Sequence, residues 1–456
     1  MYDEGKRKKA SRFEKWDWLQ ASGGSLALMP PGQLRLDGPH TTAGIQWGMV
    51  MRQGHTLEEL MFWHVFDRHQ CLRRDLADRF GLSGATISRT VSALLEKGLV
   101  VSALSGASRP GRKPQVLEIN PKLANLLGVD IDLDRVMAVV TDMSGALLGR
   151  GAVRCNAEEG LAAAVGASRK AAELALADAG VEGCDIQHLG IAHPGDLDVE
   201  RGVCVSWANA PAWKSTPIRE AMQEAFQMKV TLDDRCRALA LAERRTSPDD
   251  GRHPSAIYVH VGMGVGMGVF VDGRLYRGAT GGGGEIGHTV IDPAGPLCKC
   301  GNRGCVEAYA SIGAVQRFVR ESLASASSPL IGALATDSAG EIPIEGIAAA
   351  ARQGDRLAQA ALERAATALG LGVANAIQIL NPSLVVFTDR LARLAGERLL
   401  HTAVRIVRQR CVETASRKLE IRVSPPKKDI SAIGSALLAA EAEAQRIVRT
   451  RLSPAN

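Results

Sequence analysis

One imidazole and three thiols close together in sequence constrain this chain more than any other feature: His288, then Cys298-Lys-Cys300-Gly-Asn-Arg-Gly304-Cys305. They make a complete tetrahedral ligand set, and the Cys-x-Cys, four-residue gap, Cys spacing puts all three sulfurs on one tight, glycine-turned loop. No position is left open for a reacting water, so the pattern predicts one structural zinc per chain. Three of the nine cysteines fall within eight residues beside a histidine, which argues against scattered buried thiols. Glu285 stands three residues before the histidine and Glu307 two after the last cysteine. A metal knot that pins two carboxylates suits a rigid polar ligand site.

The 456 residues exceed what one hydrophobic core fills, so two or three domains are expected. A hydrophobic fraction of 46% and a charged fraction of 23% are ordinary for a globular protein. No apolar run approaches the roughly 20 residues that span a bilayer, so no membrane partner is expected. The first nine residues, Met1-Tyr-Asp-Glu-Gly-Lys-Arg-Lys-Lys9, lack the apolar core of a secretion signal. Free thiols with a thiolate metal site fit a reducing compartment, and the cytoplasm is the expected location. Residues 1–121 carry 17 Lys and Arg against 12 Asp and Glu, which is +5 of the chain's net +6. An excess confined to the first quarter hints at nucleic acid there.

That quarter reads as a winged helix. Leu72-Arg-Arg-Asp-Leu76-Ala-Asp-Arg-Phe80 has apolar residues at helical spacing and stops at Gly81, and Ser83 can cap a second helix over 84–97. The second helix is expected to bury Ile87, Val91, Leu94 and Leu95, leaving Thr86, Ser88, Arg89 and Ser92 on its opposite face. A helix, a glycine turn and a Ser-capped helix form the arrangement whose second helix enters the major groove. Leu57 to Phe66 supplies a third helix. Strand-like runs at 99–101 and 116–119 flank a loop in which Pro110 and Pro114 keep the turn extended. From Lys97 to Lys113 there are four positive charges and no acid, so Arg109, Arg112 and Lys113 can reach phosphates or a narrow minor groove.

Beyond residue 121 the pattern becomes mixed α/β. Leu127 to Asp132 opens a strand, and Val136 to Leu148 turns back on it through Asp142-Met-Ser-Gly145. A helix is expected over Leu161–Ala179, followed by Leu189-Gly-Ile-Ala-His193-Pro-Gly195, a helix near 217–226, and Val230 to Arg235. A second unit starts with Ala256 to Val261, Gly262-Met-Gly264-Val-Gly266-Met-Gly268 and a hairpin at 270–275. Past the metal loop the chain is mainly helical, with a strand at Leu384–Phe387 and a closing helix from Ile433. Gly264-x-Gly-x-Gly is not a dinucleotide loop, because no βαβ unit with an acidic partner surrounds it.

Residues from about 121 to 440 resemble the ROK family (repressors, open reading frames and sugar kinases). His193-Pro-Gly195, Asn209, Gly264-Val-Gly-Met-Gly268, Gly284-Glu285-Ile-Gly-His288 and the Cys298–Glu307 loop carry the resemblance, in the family's order. The front module ending in Gly111-Arg-Lys-Pro114 is similar to that of the family's repressor branch, which includes the xylose and N-acetylglucosamine repressors. The resemblance implies an α/β protein: an N-terminal winged helix-turn-helix, then a two-lobed actin-like body of the ribonuclease H-like, sugar-kinase type. The expected division is an extension over 1–55, a DNA-binding domain over 56–120, a first lobe over 121–250 and a second over 251–456, with the last helix able to return to the first lobe.

The kinase chemistry of the family is not matched. An Asp-x-Gly-x-Thr turn lets backbone amides and a hydroxyl approach ATP phosphates; this chain has Asp130-Ile-Asp132-Leu-Asp134, with carboxylates at both permissive positions. The second phosphate loop has Met263 where the family has Thr, and the adenosine turn reads Thr388-Asp389-Arg390. Counting back from Ala240-Leu-Ala-Glu243, the catalytic Asp position holds Arg235, although a shift of one residue would restore an Asp. No ATP use and no enzyme activity are therefore expected. The reading is a transcriptional repressor of carbohydrate genes that binds a double-stranded operator as a homodimer or tetramer and senses a sugar. Its ligand residues are expected at Asn209, Asp234, Glu285, His288 and Glu307. A ligand-independent regulator governed by a protein partner, and a sugar kinase, are the alternatives.

Overall fold

The computed structural model describes residues 56–452 apart from 69, 105–114, 248–251, 325–327, 335 and 337–339. The 1–55 extension and the loop carrying Arg109, Arg112 and Lys113 lie outside the described residues. The front module is built from α1 (Leu57–Arg68), β1 (Cys71–Leu72), α2 (Arg73–Phe80), α3 (Gly84–Glu96), β2 (Val100–Leu104) and β3 (Gln115–Ile119). Gly81 ends α2 in the left-handed region at φ 63°, and Ser83 caps α3 by accepting from the Thr86 amide. The sequence reading started α2 at Leu72. Instead Leu72 pairs with Val116 across the small sheet, a long-range partnership that local helical spacing does not reveal. Ile87, Val91 and Leu94 are buried as expected, but Leu95 is only half-buried and Thr90 takes the inward position. Thr90 can do so because its hydroxyl donates to the Thr86 carbonyl at 3.1 Å.

The body repeats one topology twice. In the first lobe β4 (Asn125–Ile131), β5 (Arg135–Asp142) and β6 (Leu147–Arg154) run antiparallel, and β7 (His188–His193) and β10 (Lys229–Asp234) add in parallel, giving the order β10-β7-β4-β5-β6. Helix α4 (Leu161–Ala179) covers this sheet, and β8 (Asp196–Asp198) and β9 (Val203–Ser206) form a hairpin beside it, followed by α5 (Ile218–Phe226). In the second lobe β11 (Ala256–Val261), β12 (Val265–Val271) and β13 (Arg274–Tyr276) are antiparallel, and β14 (Leu384–Thr388) and β15 (Glu420–Val423) are parallel, in the order β13-β12-β11-β14-β15. Each sheet thus places its first strand centrally, with the hairpin strands on one side and the parallel strands on the other. This is the two-lobed ribonuclease H-like architecture of sugar kinases.

Two helices join the lobes: α6 (Arg235–Thr246), which follows β10, and the last helix of the chain, Ile430–Arg451. The last helix starts three residues earlier than the sequence pattern suggested and lies on the first-lobe sheet. A Cβ on Gly190 of β7 would come within 1.7 Å of the Ser435 carbonyl oxygen, so only glycine permits this approach. At the crossing of the two helices a Cβ on Gly434 would sit 2.0 Å from the Ala238 carbonyl oxygen. Among the described residues, no helix is long and apolar enough to cross a membrane.

Candidate functional site

The candidate metal loop is shaped by backbone turns. Cys298 N–H donates to the Asn302 carbonyl at 2.8 Å, Gly304 N–H to that of Pro296 at 2.9 Å, and Val290 bridges to Cys305. These bonds bring one ligand atom each from His288, Cys298, Cys300 and Cys305 within 4.8 Å of one another. Cys300 Sγ and Cys305 Sγ are 3.7 Å apart, and His288 Nδ1 is 3.8 Å from Cys298 Sγ. A tetrahedral ion with bonds of about 2.3 Å to sulfur needs edges of roughly 3.7–3.8 Å. The spacing is far too long for a disulfide and fits a tetrahedral metal. Because Nδ1 faces the thiols, Nε2 is the ring nitrogen left for another partner.

Glu307 follows the last cysteine and opens a one-turn helix (Glu307–Ala310). Its Oε2 accepts the Val265 amide at 2.9 Å, tying the metal loop to the glycine-rich turn before β12. Glu285 precedes the Ile286–His288 turn. Partial burial, and then the neighbouring Asp234 carboxylate, raise its pKa above the ordinary range, while His288 opposes them. The charges of Asp234 and His288 are thus near enough to be felt at Glu285. Asp234 is partly committed elsewhere, since its Oδ1 caps α6 by accepting from the Cys236 and Arg237 amides at 2.8 and 3.2 Å. Asn209 lies on the first lobe, between Trp207 and Trp213, which pack edge-on at 5.5 Å around the buried His193. Its side-chain oxygen accepts from Nζ of Lys299, the residue between Cys298 and Cys300. The metal loop thus reaches across the cleft to the opposite lobe, a contact the sequence reading missed.

The side of the cleft that carries Asp130 and Asp132 is occupied by the protein itself. Arg235 Nη2 donates to Asp132 Oδ2 at 2.8 Å and to Asp130 Oδ2 at 3.1 Å, and Arg235 Nε donates to Ser431 Oγ at 3.2 Å. Burial alone would lower the arginine pKa, but Asp130 and Asp132 outweigh it and raise it. Asp132 is held below the usual carboxylate range because Arg235 overcomes its burial. For Asp130 burial prevails and pushes the carboxyl up. Asp234 ends β10 and Arg235 begins α6, so the aspartate caps the helix while the arginine turns to the phosphate turn. Across the cleft Asp389, at φ 74°, pairs with His260 Nε2 at 3.2 Å. A Cβ on Gly262 would lie 2.2 Å from Asp389 Oδ2, so a carboxylate rests directly on the second phosphate loop.

On the front module, Ser88, Arg89 and Ser92 are exposed on α3, and Thr86 is half-buried with its hydroxyl 3.0 Å from that of Ser83. The four residues share the outer side of this helix.

A helix-turn-helix module joined to a two-lobed sugar-kinase-like body with a Cys3His loop defines a regulator-type architecture. Residues 126–442 match the model of the ROK family, and the chain belongs to that family. It is 28% identical over 370 residues to the xylose repressor of Caldicellulosiruptor bescii, covering 81% of this chain and 92% of the relative. It is 34% identical over 260 residues to the glucokinase of Thermotoga maritima, covering 57% of this chain and 81% of the relative. Among solved structures, a ROK family transcriptional regulator described as a homolog of the E. coli MLC protein superposes with a TM-score of 0.65 at 23% identity, over 84% of this chain and 94% of that one. That likeness is one of fold. Relatives at 28% and 27% identity, from Caldicellulosiruptor bescii and Bacillus subtilis, are named as xylose repressors, which supports the repressor branch.

Proposed function

We propose that the protein is a transcriptional repressor of carbohydrate genes whose kinase-like body has exchanged ATP chemistry for sugar sensing. The observation that carries this reading is the Arg235 guanidinium bonded to both Asp130 and Asp132 in the phosphate turn. A triphosphate entering there would have to displace a buried ion pair and meet its carboxylates, with the Asp389 carboxylate on the facing loop. Xylose repressors among the relatives support the regulatory role, and the glucokinases support descent from a sugar-binding cleft.

The residues 56–120 form the DNA-binding domain, 121–250 the first lobe and 251–456 the second. The metal is zinc, held by His288, Cys298, Cys300 and Cys305, and its part is to fix the loop from which Glu307 projects. Asn209, Glu285, His288 and Glu307 hydrogen-bond the sugar, with Asp234 at the margin. Because the Arg235 charge is consumed by two carboxylates, no spare cation waits there for a sugar acid, and the cleft favours a neutral sugar. A sugar acts only through unequal affinity for lobe arrangements that do and do not bind operator. A coupling of about 1–3 kcal/mol changes operator affinity roughly 5- to 150-fold.

Thermal-shift screening of neutral, amino and acidic sugars, each repeated with labelled ATP, tests the sensor. A neutral pentose or hexose should stabilise the protein with no phosphate transfer above buffer, and Glu307→Gln should remove that response while keeping metal and operator binding. Turnover of ATP would sink the reading; no stabilising sugar would favour the ligand-independent regulator. Two copies of α3 on a palindromic operator multiply weak single contacts, so a homodimer is the working assembly. If Arg89 reads a base edge, Arg89→Ala should cost about 1–3 kcal/mol on a selected operator and relax sequence preference. Arg112→Ala should weaken all duplexes alike and flatten the salt dependence. Unchanged affinity in both variants would exclude this docking.

A further inference from the structure

Among the described residues, two attachments of the DNA-binding domain to the body differ in character. The first is apolar. Phe62, Leu76, Val91 and Leu117 share one continuous core with Leu126 and Val139 of the first lobe and with Ile447 and Val448 of the last helix. The second is polar and reaches the other lobe. Arg274, the first residue of β13, directs Nε to Asp67 Oδ2 of α1 at 3.1 Å. The turn that presents it, Asp272-Gly273, has φ values of 52° and 84°, and a Cβ on Gly273 would stand 3.9 Å from Arg68 Nε, so the hairpin tip itself lies against the end of α1. The Arg274 side chain is 75% exposed, whereas that of Asp67 is 27% exposed.

These attachments respond differently when the lobes move. The lobes are joined through α6 and the last helix, which cross at Ala238 and Gly434, and closure about such a crossing is a hinge or shear motion of packed elements. The apolar attachment keeps the domain on the first lobe, because breaking it would expose large buried side chains to water. The hairpin tip travels with the second lobe. The Asp67–Arg274 contact must therefore lengthen, shorten or re-form as the lobes change their angle. Its chemistry suits that role, since an ion pair with its arginine largely in water is individually weak and easily remade. Helix α1 packs directly against α3, so a pull on Asp67 is felt at the surface that carries Arg89.

We propose that Asp67 and Arg274 are a positioning pair through which the arrangement of the lobes sets the orientation of the recognition helix. The proposal relies on the sensing reading only for what moves the lobes. The test uses the full chain with its metal, an operator selected from random duplexes, and three variants: Asp67→Asn, Arg274→Gln, and the exchange Asp67→Arg with Arg274→Asp. Without sugar, each single variant should shift operator affinity by about 1.5- to 5-fold in the same direction, the range an exposed pair can supply. The exchange should return it towards the original value, and amide hydrogen exchange over residues 57–68 should quicken in the singles only. Unaltered affinity in the singles, or an exchange variant no better than they are, overturns the proposal. D-Xylose and D-glucose are then added. If the unmodified protein responds to either sugar and Arg274→Gln responds as fully, the pair is not the route and the proposal fails. If neither sugar acts while the exchange still restores affinity, sensing of those sugars fails and the pair stands.

Discussion

Stripping the metal is expected to destabilise this protein more than any single side-chain change. Three sulfurs and an imidazole nitrogen are held within 4.8 Å, and without a cation nothing offsets the crowding of thiolates once they ionise. In peptides that fold only around zinc the apparent binding free energy is about 10–16 kcal/mol, which sets a ceiling here because the second lobe has its own apolar core. Cys305→Ser should cost more than Cys300→Ser, since Cys305 is fully buried and Cys300 is exposed. The loss should also spread beyond the loop. Glu307 carries the Val265 amide, and Lys299 carries Asn209, so hydrogen exchange should quicken at 262–268 and at 207–213 as well as at 288–307. Elemental analysis finding one zinc per chain, followed by thermal denaturation with and without chelator, checks the expectation. Metal-free protein of unchanged stability would refute it.

Legibility in the sequence followed distance along the chain. The four residues that could hold a metal lie in one short window, with glycines where the loop must turn, so their spacing alone predicted the cluster. The helix pair of the front module was equally plain, because Leu76, Phe80, Ile87, Val91 and Leu94 recur at helical intervals around Gly81 and Ser83. The contacts that give the cleft its character, and the one that ties the front module to the second lobe, join residues remote in sequence: Arg235 with Asp130 across 105 positions, Lys299 with Asn209 across 90, and Arg274 with Asp67 across 207. Arg235 was visible as an anomaly at a catalytic position, but no local rule says whether such an arginine faces the sugar or the phosphate turn. The two aspartates that displaced the glycine and threonine of that turn were the available clue, since three losses that neutralise one another are better explained together. The inward Thr90 and the strand at Leu72 were missed for a similar reason: a hydroxyl satisfied by its own helix and a two-residue pairing with β3 leave almost no periodic trace.

Arg235→Ala is the second change expected to have a large effect. The arginine side chain is 16% exposed, and its partners Asp130 and Asp132 are 7% and 26% exposed, so the pair is largely removed from water. Deleting one member of such a pair leaves the other charges buried and uncompensated, which typically costs about 3–5 kcal/mol. Here two carboxylates would be left, and they also repel each other. The sign of a second substitution then becomes diagnostic. Asp132→Asn in the original protein removes a charge that Arg235 needs and should destabilise. In the Arg235→Ala background the same change relieves repulsion and should stabilise, so the double variant should be more stable than Arg235→Ala alone. Urea denaturation of the four proteins closes this cycle, with a coupling of roughly 0.5–3 kcal/mol for residues in direct contact. Additive effects would mean that the guanidinium points into solvent and that the phosphate turn is open. A strong coupling would mean that the protein has built its own cation into the place where a kinase admits its nucleotide, and that the lobes are held there by α6 and the last helix through Arg235 and Ser431. In that arrangement the energy available for closing the cleft comes from the sugar side alone, which is what a sensor that does no chemistry requires.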